Sequence, residues 1–429
     1  MHIYFLAIGG AGIGPLAQLA KEAGYQVSGS DQRQTAYIDY LRNQGIEDII
    51  VGDSVDLITE AHKLKPIDWL VYSSAVEIDE RGSRQLKKAR SLGIKCTKRD
   101  LFILELINKN NLKMIAIAGT HGKTTTTAMV SWLFINLNIP VSYLIPAKVS
   151  FGEMAHFDKF SEYFIYEADE YDHNFLAFTP EISIISGVSW DHHEIYKTRQ
   201  EYIQAFRDFI NQSKRTIIWE SDASYLGLDK SRLIVEADNT SELNKLSLKG
   251  LYNRRDGLLA VRSVTNLFNK PIDSLIVSIN NFPGLSRRME EIYPNLFSDY
   301  AHTPDKIRGA ISAASELAKD RHRPLVVLYE PLTNKRQKYI LNEYQDCFRG
   351  VDHLYWLPSF LAREDPDDKI IEPKTLVAKL SDPSIAEVAN RDQTLLTKIK
   401  EHLNNGDMIV ALAGGGGGSL DDWLRDNFS

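Results

Sequence analysis

Along the chain, short apolar runs alternate with amphipathic stretches, and each run gives way to a turn rich in glycine or acid. The first run, residues 2–8 (HIYFLAI), ends in Gly9-Gly10-Ala11-Gly12-Ile13-Gly14 and leads into apolar positions at helical spacing from Pro15 to Ala20. That pattern predicts strand, glycine turn and helix. A second strand over 26–30 stops at Asp31, and residues 69–73 (WLVYS) make a later one. The scheme restarts at 113–118 (KMIAIA), with a turn over 119–124 and a helix over 125–136. Strands at 163–167 and 182–185 and helices near 200–211 and 257–268 continue it. After the turn chemistry of Asn281-Phe282-Pro283-Gly284, the expectation is helix 305–319, strand 324–329, helix 338–349, strand 353–357 and strand 408–412, which runs into five glycines, Gly414 to Gly418.

Repeated βα alternation predicts an α/β chain. Its punctuation suggests three domains: a Rossmann-like one over residues 1–105, a second over 106–282 built around the turn at 119–124, and a third α/β domain over 283–429. The length, 429 residues, suits two to four domains.

Composition narrows the function. Fifty Lys plus Arg against fifty-seven Asp plus Glu leave a net charge of -7, which disfavours generic nucleic-acid binding. Two cysteines, Cys96 and Cys347, form no CxxC pair, so neither a disulfide framework nor a thiolate metal site is expected. No run approaches the ~20 apolar residues of a membrane helix, and the opening residues have neither a basic leader nor a small-residue cleavage site. The expectation is a cytoplasmic protein with no membrane partner.

The strongest chemical signal is AGTHGKTTTT, residues 118–127. A strand that delivers Gly-Lys-Thr to a helix start points backbone N–H groups and the positive helix end at a phosphate chain. Lys123 would lie against the β- and γ-phosphates, and Thr124 would offer a hydroxyl to Mg2+. The pattern departs from G-x-x-x-x-G-K-[ST], with Ile117 at the first glycine position and Gly119 two residues later; the bland alternative is a Gly-Lys helix cap. Gly10-x-Gly12 matches a dinucleotide fingerprint only in part, because Pro15 holds the third glycine position, so a diphosphate site and a merely tight turn stay open. Asp31 could take a ribose hydroxyl or face water. Glu167-Ala168-Asp169-Glu170-Tyr171-Asp172 follows a strand, where an acid can hold Mg2+ or simply be solvated, and Asp191-His192-His193-Glu194 adds imidazole at a comparable edge.

With AGTHGKTTTT, EADEYD, the DH pair, RRM and DYAHTP in this order, the sequence resembles the Mur ligase family over nearly its whole length, and within it the branch that acts on UDP-N-acetylmuramate. The resemblance implies a UDP-sugar-binding Rossmann-like domain, a central P-loop ATPase domain with a mixed sheet, and a Rossmann-like C-terminal domain that brings in the amino-acid substrate. It implies ATP and Mg2+ as cofactors and a monomer or weak homodimer. Carried over by position, Gly119, Thr120, His121, Gly122, Lys123, Thr124 and Thr125 would hold ATP phosphates. Thr124, Glu167 and His192 would hold metal, with Lys123, Glu167 and His192 catalytic. Asn253, Arg288 and Asp299 would also bind ATP; Gly10, Ala11, Gly12, Asp31, Ser73 and Ser74 the UDP-sugar; His302 and Arg336 substrate.

Four positions depart from the family pattern: Tyr252 for histidine, Asp256 for a second asparagine, Gly187 for the asparagine before the DH pair, and Ser298 for a first aspartate. The tyrosine can still stack on a base, which implies altered affinity. The chain is also short for this branch around residues 220–250. The implied reaction joins an amine to the lactyl carboxylate of UDP-N-acetylmuramate through an acyl phosphate. L-alanine is the favoured amine and the murein tripeptide L-Ala-γ-D-Glu-meso-diaminopimelate the alternative. A nucleotide-gated binding protein without turnover and a nicotinamide oxidoreductase are the readings from other classes; the second leaves the loop at 119–124 unexplained.

Overall fold

A computed structural model describes residues 1–193, 195–361, 367–414 and 418–428. The chain packs as two compact units, one made of Met1–Leu246 with Asp256–Pro283 and the other of residues 247–255 with those from 284 onward. The described strands form three sheets, two in the first unit and one in the second.

In the first sheet, β1 (His2–Leu6), β2 (Gln26–Asp31), β3 (Ile49–Val51), β4 (Trp69–Tyr72) and β5 (Lys95–Lys98) lie in the order β3-β2-β1-β4-β5. All neighbours are parallel. Every residue of β1 is buried, as helices on both faces of a parallel sheet require. Strand order reverses beside β1, so the crevice at its carboxyl end is where such sheets bind ligands. The strand expected over 2–8 ends at Leu6, because Ala7 takes a left-handed φ of 65° and starts the glycine turn early.

The second sheet contains β6 (Lys113–Ala118), β7 (Val141–Leu144), β8 (Ala155–His156), β9 (Tyr163–Glu167), β10 (Ile182–Ile185), β11 (Arg215–Trp219) and β12 (Leu233–Glu236), ordered β12-β11-β10-β6-β9-β7-β8. It is mixed, since β7 and β8 run antiparallel. One apolar cluster reaches from Phe5 and Phe102 under the first sheet to Phe175 and Phe209 under the second. The two sheets therefore share a core. The helix expected over 257–268 begins earlier, at Leu251; its first turn belongs to the second unit, where the Arg254 guanidinium pairs with Glu316 at 2.8 and 2.9 Å.

The third sheet orders β13 (Glu290–Tyr293), β14 (Leu296–Asp299), β15 (Leu325–Glu330), β16 (His353–Trp356), β17 (Ala386–Val388) and β18 (Met408–Ala413) as β13-β14-β18-β15-β16-β17. The β13–β14 hairpin is antiparallel and the rest parallel. Where a helix is expected over 338–349, the structure has one at Asn334–Ile340 followed by turns. The buried side chains of Tyr344, Cys347 and Phe348 pack into this unit's core without being helical. Of the glycine run, Gly415 to Gly417 fall outside the described residues, as does Glu194.

Candidate active site

The geometry around Lys123 follows from two glycines. Gly119 adopts φ +143° where a Cβ would meet Ser186 Oγ at 2.6 Å, and Gly122 adopts φ +78° where a Cβ would meet Asp256 Oδ1 at 2.5 Å. Only glycine fits either position. Gly122 caps the helix Lys123–Asn136, whose opening N–H groups have no intrahelical acceptors and carry the positive end of the helix dipole. Thr120 stitches the loop to the segment after β10: its N–H donates to Gly187 O (2.7 Å), its hydroxyl to Ser189 O (2.7 Å), and Ser189 N donates back to that hydroxyl (2.9 Å). Ser186 Oγ donates to His121 O. Gly187, the departure from the family's asparagine, has a physical cause in this chain: a Cβ there would lie 2.1 Å from His121 Cε1. Thr125 is buried in the first turn.

Against this loop stands the acidic segment after β9. Lys123 Nζ donates to Glu170 Oε2 at 2.7 Å and to Gly119 O at 2.5 Å, while Thr124 Oγ1 donates to Glu167 Oε2 at 2.7 Å. Glu170 is wholly buried, and His192 Nε2 lies 3.5 Å from its other oxygen. Burial alone would raise the Glu170 carboxyl; the Lys123 ammonium and His192 override it and hold it down at about 2. Burial would likewise lower the Lys123 ammonium, but Glu170, Asp169 and Glu167 push it above its ordinary value. Asp169, Glu170 and His192 each offer a ligand atom within 4.8 Å of one another, a set able to hold a divalent cation.

At the carboxyl edge of the first sheet, the Asp31 carboxylate accepts from Gly9 N (2.9 Å) and Arg33 N (3.2 Å), so it braces the glycine turn. Gly10 and Ala11 are exposed at the tip of that turn. A Cβ on Gly12 would approach Arg99 Nη1 to 2.9 Å. Ser73 precedes the helix Ser74–Ile78, and Ser74 Oγ donates to Asp172 Oδ2 at 2.9 Å. The first unit thus gathers the glycine turn, Ser74, the acidic segment and the glycine-capped loop at 119–125. Sequence reasoning carried Glu167 forward but passed over Glu170, Asp172, Lys98 and Arg99. Their signal lies in the basic pair Lys98-Arg99 at the junction of a strand and a helix and in the spacing of acids along 167–172.

In the second unit, Asp299 is buried at the end of β14 and accepts from Met289 N (2.9 Å) and Ala301 N (2.8 Å). Burial raises its carboxyl despite the opposing pull of Arg288. The Arg288 guanidinium carbon lies 5.0 Å from the Tyr300 ring centroid, and His302 Nδ1 is 2.7 Å from Tyr300 O. These residues form one cluster. Asn253 Nδ2 donates to Lys249 O at 2.7 Å, and Arg336 lies on the helix Asn334–Ile340 after β15. Ser298 donates its hydroxyl to the buried Asp421, which also lies 3.4 Å from Arg287; an aspartate at 298 would face that carboxylate.

Three family profiles match the chain in succession: Mur ligase family, catalytic domain, over residues 2–111; Mur ligase middle domain over 117–258; and Mur ligase, glutamate ligase domain, over 287–415. Among similar curated proteins, the UDP-N-acetylmuramate--L-alanine ligase of Sulfurihydrogenibium sp. is 28% identical over 462 residues, covering 100% of this chain and 98% of the relative. That of Clostridium tetani is 28% identical, covering 96% and 95%. In fold, the chain is similar to the crystal structure of UDP-N-acetylmuramate-alanine ligase from Thermotoga maritima, with TM-score 0.76, 21% identity and coverage of 100% and 98%. It is also similar to a murein peptide ligase from Psychrobacter arcticus, with TM-score 0.66, 22% identity and coverage of 97% and 96%.

Proposed function

The chain belongs to the Mur ligase family, and from that premise we propose that it is an ATP-dependent ligase joining L-alanine to the lactyl carboxylate of UDP-N-acetylmuramate. The observation that carries the reading is the glycine-capped helix start at Lys123 facing Glu167 and Glu170, in a chain similar end to end to ligases of that name. We assign the domains to residues 1–105, 106–282 and 283–429, and the protein to the cytoplasm. Among the described residues, no helix is long and apolar enough to cross a membrane.

The residues suit a magnesium-bound triphosphate. Gly119 and Gly122 hold the loop in a backbone conformation no other residue allows, the helix it opens starts with N–H groups that lack intrahelical acceptors, and the nearby donors are hydroxyl and carboxylate oxygens with one imidazole, a hard set that suits Mg2+. Thr124, Glu167 and His192 would hold the metal, with Asp169 and Glu170 beside them. Bound there, the triphosphate would supply the phosphoryl group that turns an unreactive carboxylate into an acyl phosphate, from whose carbonyl carbon an amine displaces inorganic phosphate. Lys123 neutralises charge on the transferring group and the amides of 119–125 orient it. Gly10, Ala11, Gly12, Asp31, Ser73 and Ser74 fix the UDP-sugar so that its carboxylate is in reach. Asn253, Arg288 and Asp299 bind nucleotide, and His302 and Arg336 the amine side.

The test is ADP release with ATP, Mg2+, UDP-N-acetylmuramate and L-alanine. Release that requires both substrates and yields the UDP-muramoyl-alanine amide is expected; no dependence on UDP-N-acetylmuramate overturns the reading. The fold likeness to a murein peptide ligase favours one second reading, tripeptide attachment. Turnover with L-Ala-γ-D-Glu-meso-diaminopimelate but not with L-alanine would transfer the assignment to it.

A further inference from the structure

Two adjacent residues after β9, neither of them glycine, occupy the left-handed region: Asp172 (φ 54°, ψ 29°) and His173 (φ 57°, ψ 20°). That region is uncommon for residues with a Cβ, though Asp and His enter it more readily than most, and two in succession mark a turn worth tracing to its contacts. Here the surroundings are groups from the first sheet. The Asp172 carboxylate accepts from Lys98 Nζ and from Ser74 Oγ. Three residues earlier, Asp169 lies 3.4 Å from Arg99 Nη2. Lys98 ends β5 and Arg99 begins the next helix, so two consecutive cations of one sheet's carboxyl edge engage two acids of one loop.

That loop faces both ways. Glu170, between the two bridged acids, holds the phosphate-loop ammonium, and Glu167 at its start takes the Thr124 hydroxyl. Ser74 belongs to the edge proposed to receive the UDP-sugar. Ser74 and Lys98 thus hold Asp172, which lies two residues along the backbone from the Glu170 that holds Lys123, and His173 N donates to Glu170 O at 3.2 Å across the turn. Lys98 also has a second acceptor, Glu77 at 3.4 Å. It thus ties the loop acid to an acid of the helix Ser74–Ile78.

We infer that Asp172 is a positioning residue that couples occupancy of the sugar-nucleotide edge at Ser74 to the phosphate loop at Lys123. A ligand that competes for the Ser74 hydroxyl changes what holds Asp172, and through residues 169–172 changes where Glu170 sits against Lys123. The inference rests on the reading that UDP-N-acetylmuramate docks at the first sheet and the triphosphate at the loop. A merely structural bridge would have no effect on communication between ligands.

The experiment measures, on the full chain, the Kd of a non-hydrolysable ATP analogue with Mg2+ in the absence and presence of saturating UDP-N-acetylmuramate. In the parent, the sugar nucleotide should shift that Kd by a factor within the about 5- to 150-fold range typical of coupled sites. In Asp172→Asn and in Lys98→Met each ligand should still bind alone, but the coupling factor should fall towards one. The double variant should be no worse than either single change, because both cut one link. Asp172→Glu should restore part of the coupling. Undiminished coupling in both single variants overturns the inference, and Lys98→Met decides the matter if Asp172→Asn does not fold. A parent that binds UDP-N-acetylmuramate without any shift in analogue affinity also overturns it. A parent that binds no UDP-N-acetylmuramate at all overturns the functional reading beneath it, and the two failures are told apart by the sugar-nucleotide titration itself.

Discussion

Replacing Lys123 with alanine removes the proposed phosphate ligand and also takes the ammonium from a buried acid. In the parent, Glu170 is wholly buried and its carboxylate is held by the Lys123 ammonium at 2.7 Å. A carboxyl kept at about 2 instead of 4.5 corresponds to roughly 3 kcal/mol at neutral pH. That figure agrees with the about 3–5 kcal/mol lost when one side of a buried ion pair is removed. Because the folded value is depressed, the parent holds this stability above 4.5 and loses it only as pH falls from there towards 2. Lys123→Ala should behave in the opposite sense. Without that ammonium, burial favours the protonated carboxyl, so the variant should gain stability relative to the parent as pH is lowered from about 8 to about 5. Thermal unfolding across that range reads both effects, and ADP release reads the other loss, at least about 10²-fold in turnover. The double variant Lys123→Ala/Glu170→Gln should regain most of the stability and none of the turnover. Lys123→Ala unfolding like the parent at every pH, or consuming ATP at the parent's rate, would refute the reasoning.

Three further outcomes follow from particular contacts. Gly187→Ala should lose about 1–3 kcal/mol by overpacking against the His121 ring and lower turnover, while His121→Ala added to it should restore stability; a neutral single change in thermal unfolding and activity would count against the clash. Asp100, a buried acid beside Arg99, has its carboxyl raised to about 6 by burial in spite of that guanidinium. Its penalty therefore grows as pH rises through 3.8 to 6 and is complete at neutrality, so Asp100→Asn should stabilise by about 1–3 kcal/mol at pH 7 and by nothing below 3.8, as read by denaturant midpoints. His156 is raised above 6.5 by its bond to Glu22, against the lowering effect of burial. That contribution is present below 6.5 and is lost as pH climbs through the folded value, so the melting difference between parent and His156→Ala should shrink on the alkaline side.

The strand, turn and helix around 119–124 are legible in the chain because their determinants are local: a strand, two glycines with backbone needs that no other residue meets, and a lysine at the first helical position. The β13–β14 hairpin is not legible in the pattern, since Glu290–Tyr293 is half polar and its partner Leu296–Asp299 ends in two polar residues that are buried, Ser298 and Asp299. The helix at 251 was read two turns short because its first residues belong, by packing, to another unit. Helical spacing continued through Tyr344 and Phe348, but those side chains are buried from turns, and apolar periodicity alone does not distinguish the two cases.

Which acid does what was still harder to read. Within EADEYD, every carboxylate looks alike in sequence, yet the structure gives them separate partners: Glu167 a hydroxyl, Asp169 an arginine, Glu170 the loop lysine, Asp172 a lysine and a serine from the neighbouring sheet. The difference comes from backbone geometry, because a pair of left-handed residues at 172 and 173 turns one acid away from the others. The departures from the family pattern obey the same logic. A missing asparagine at 187 is matched by an imidazole that fills its space, and a missing aspartate at 298 by the carboxylate of Asp421. If that second exchange is a true compensation, Ser298→Asp should be destabilised by facing Asp421, and Ser298→Asp/Asp421→Ser should recover the loss in a thermal double-mutant cycle. Additive losses would mean that the two positions do not share one role.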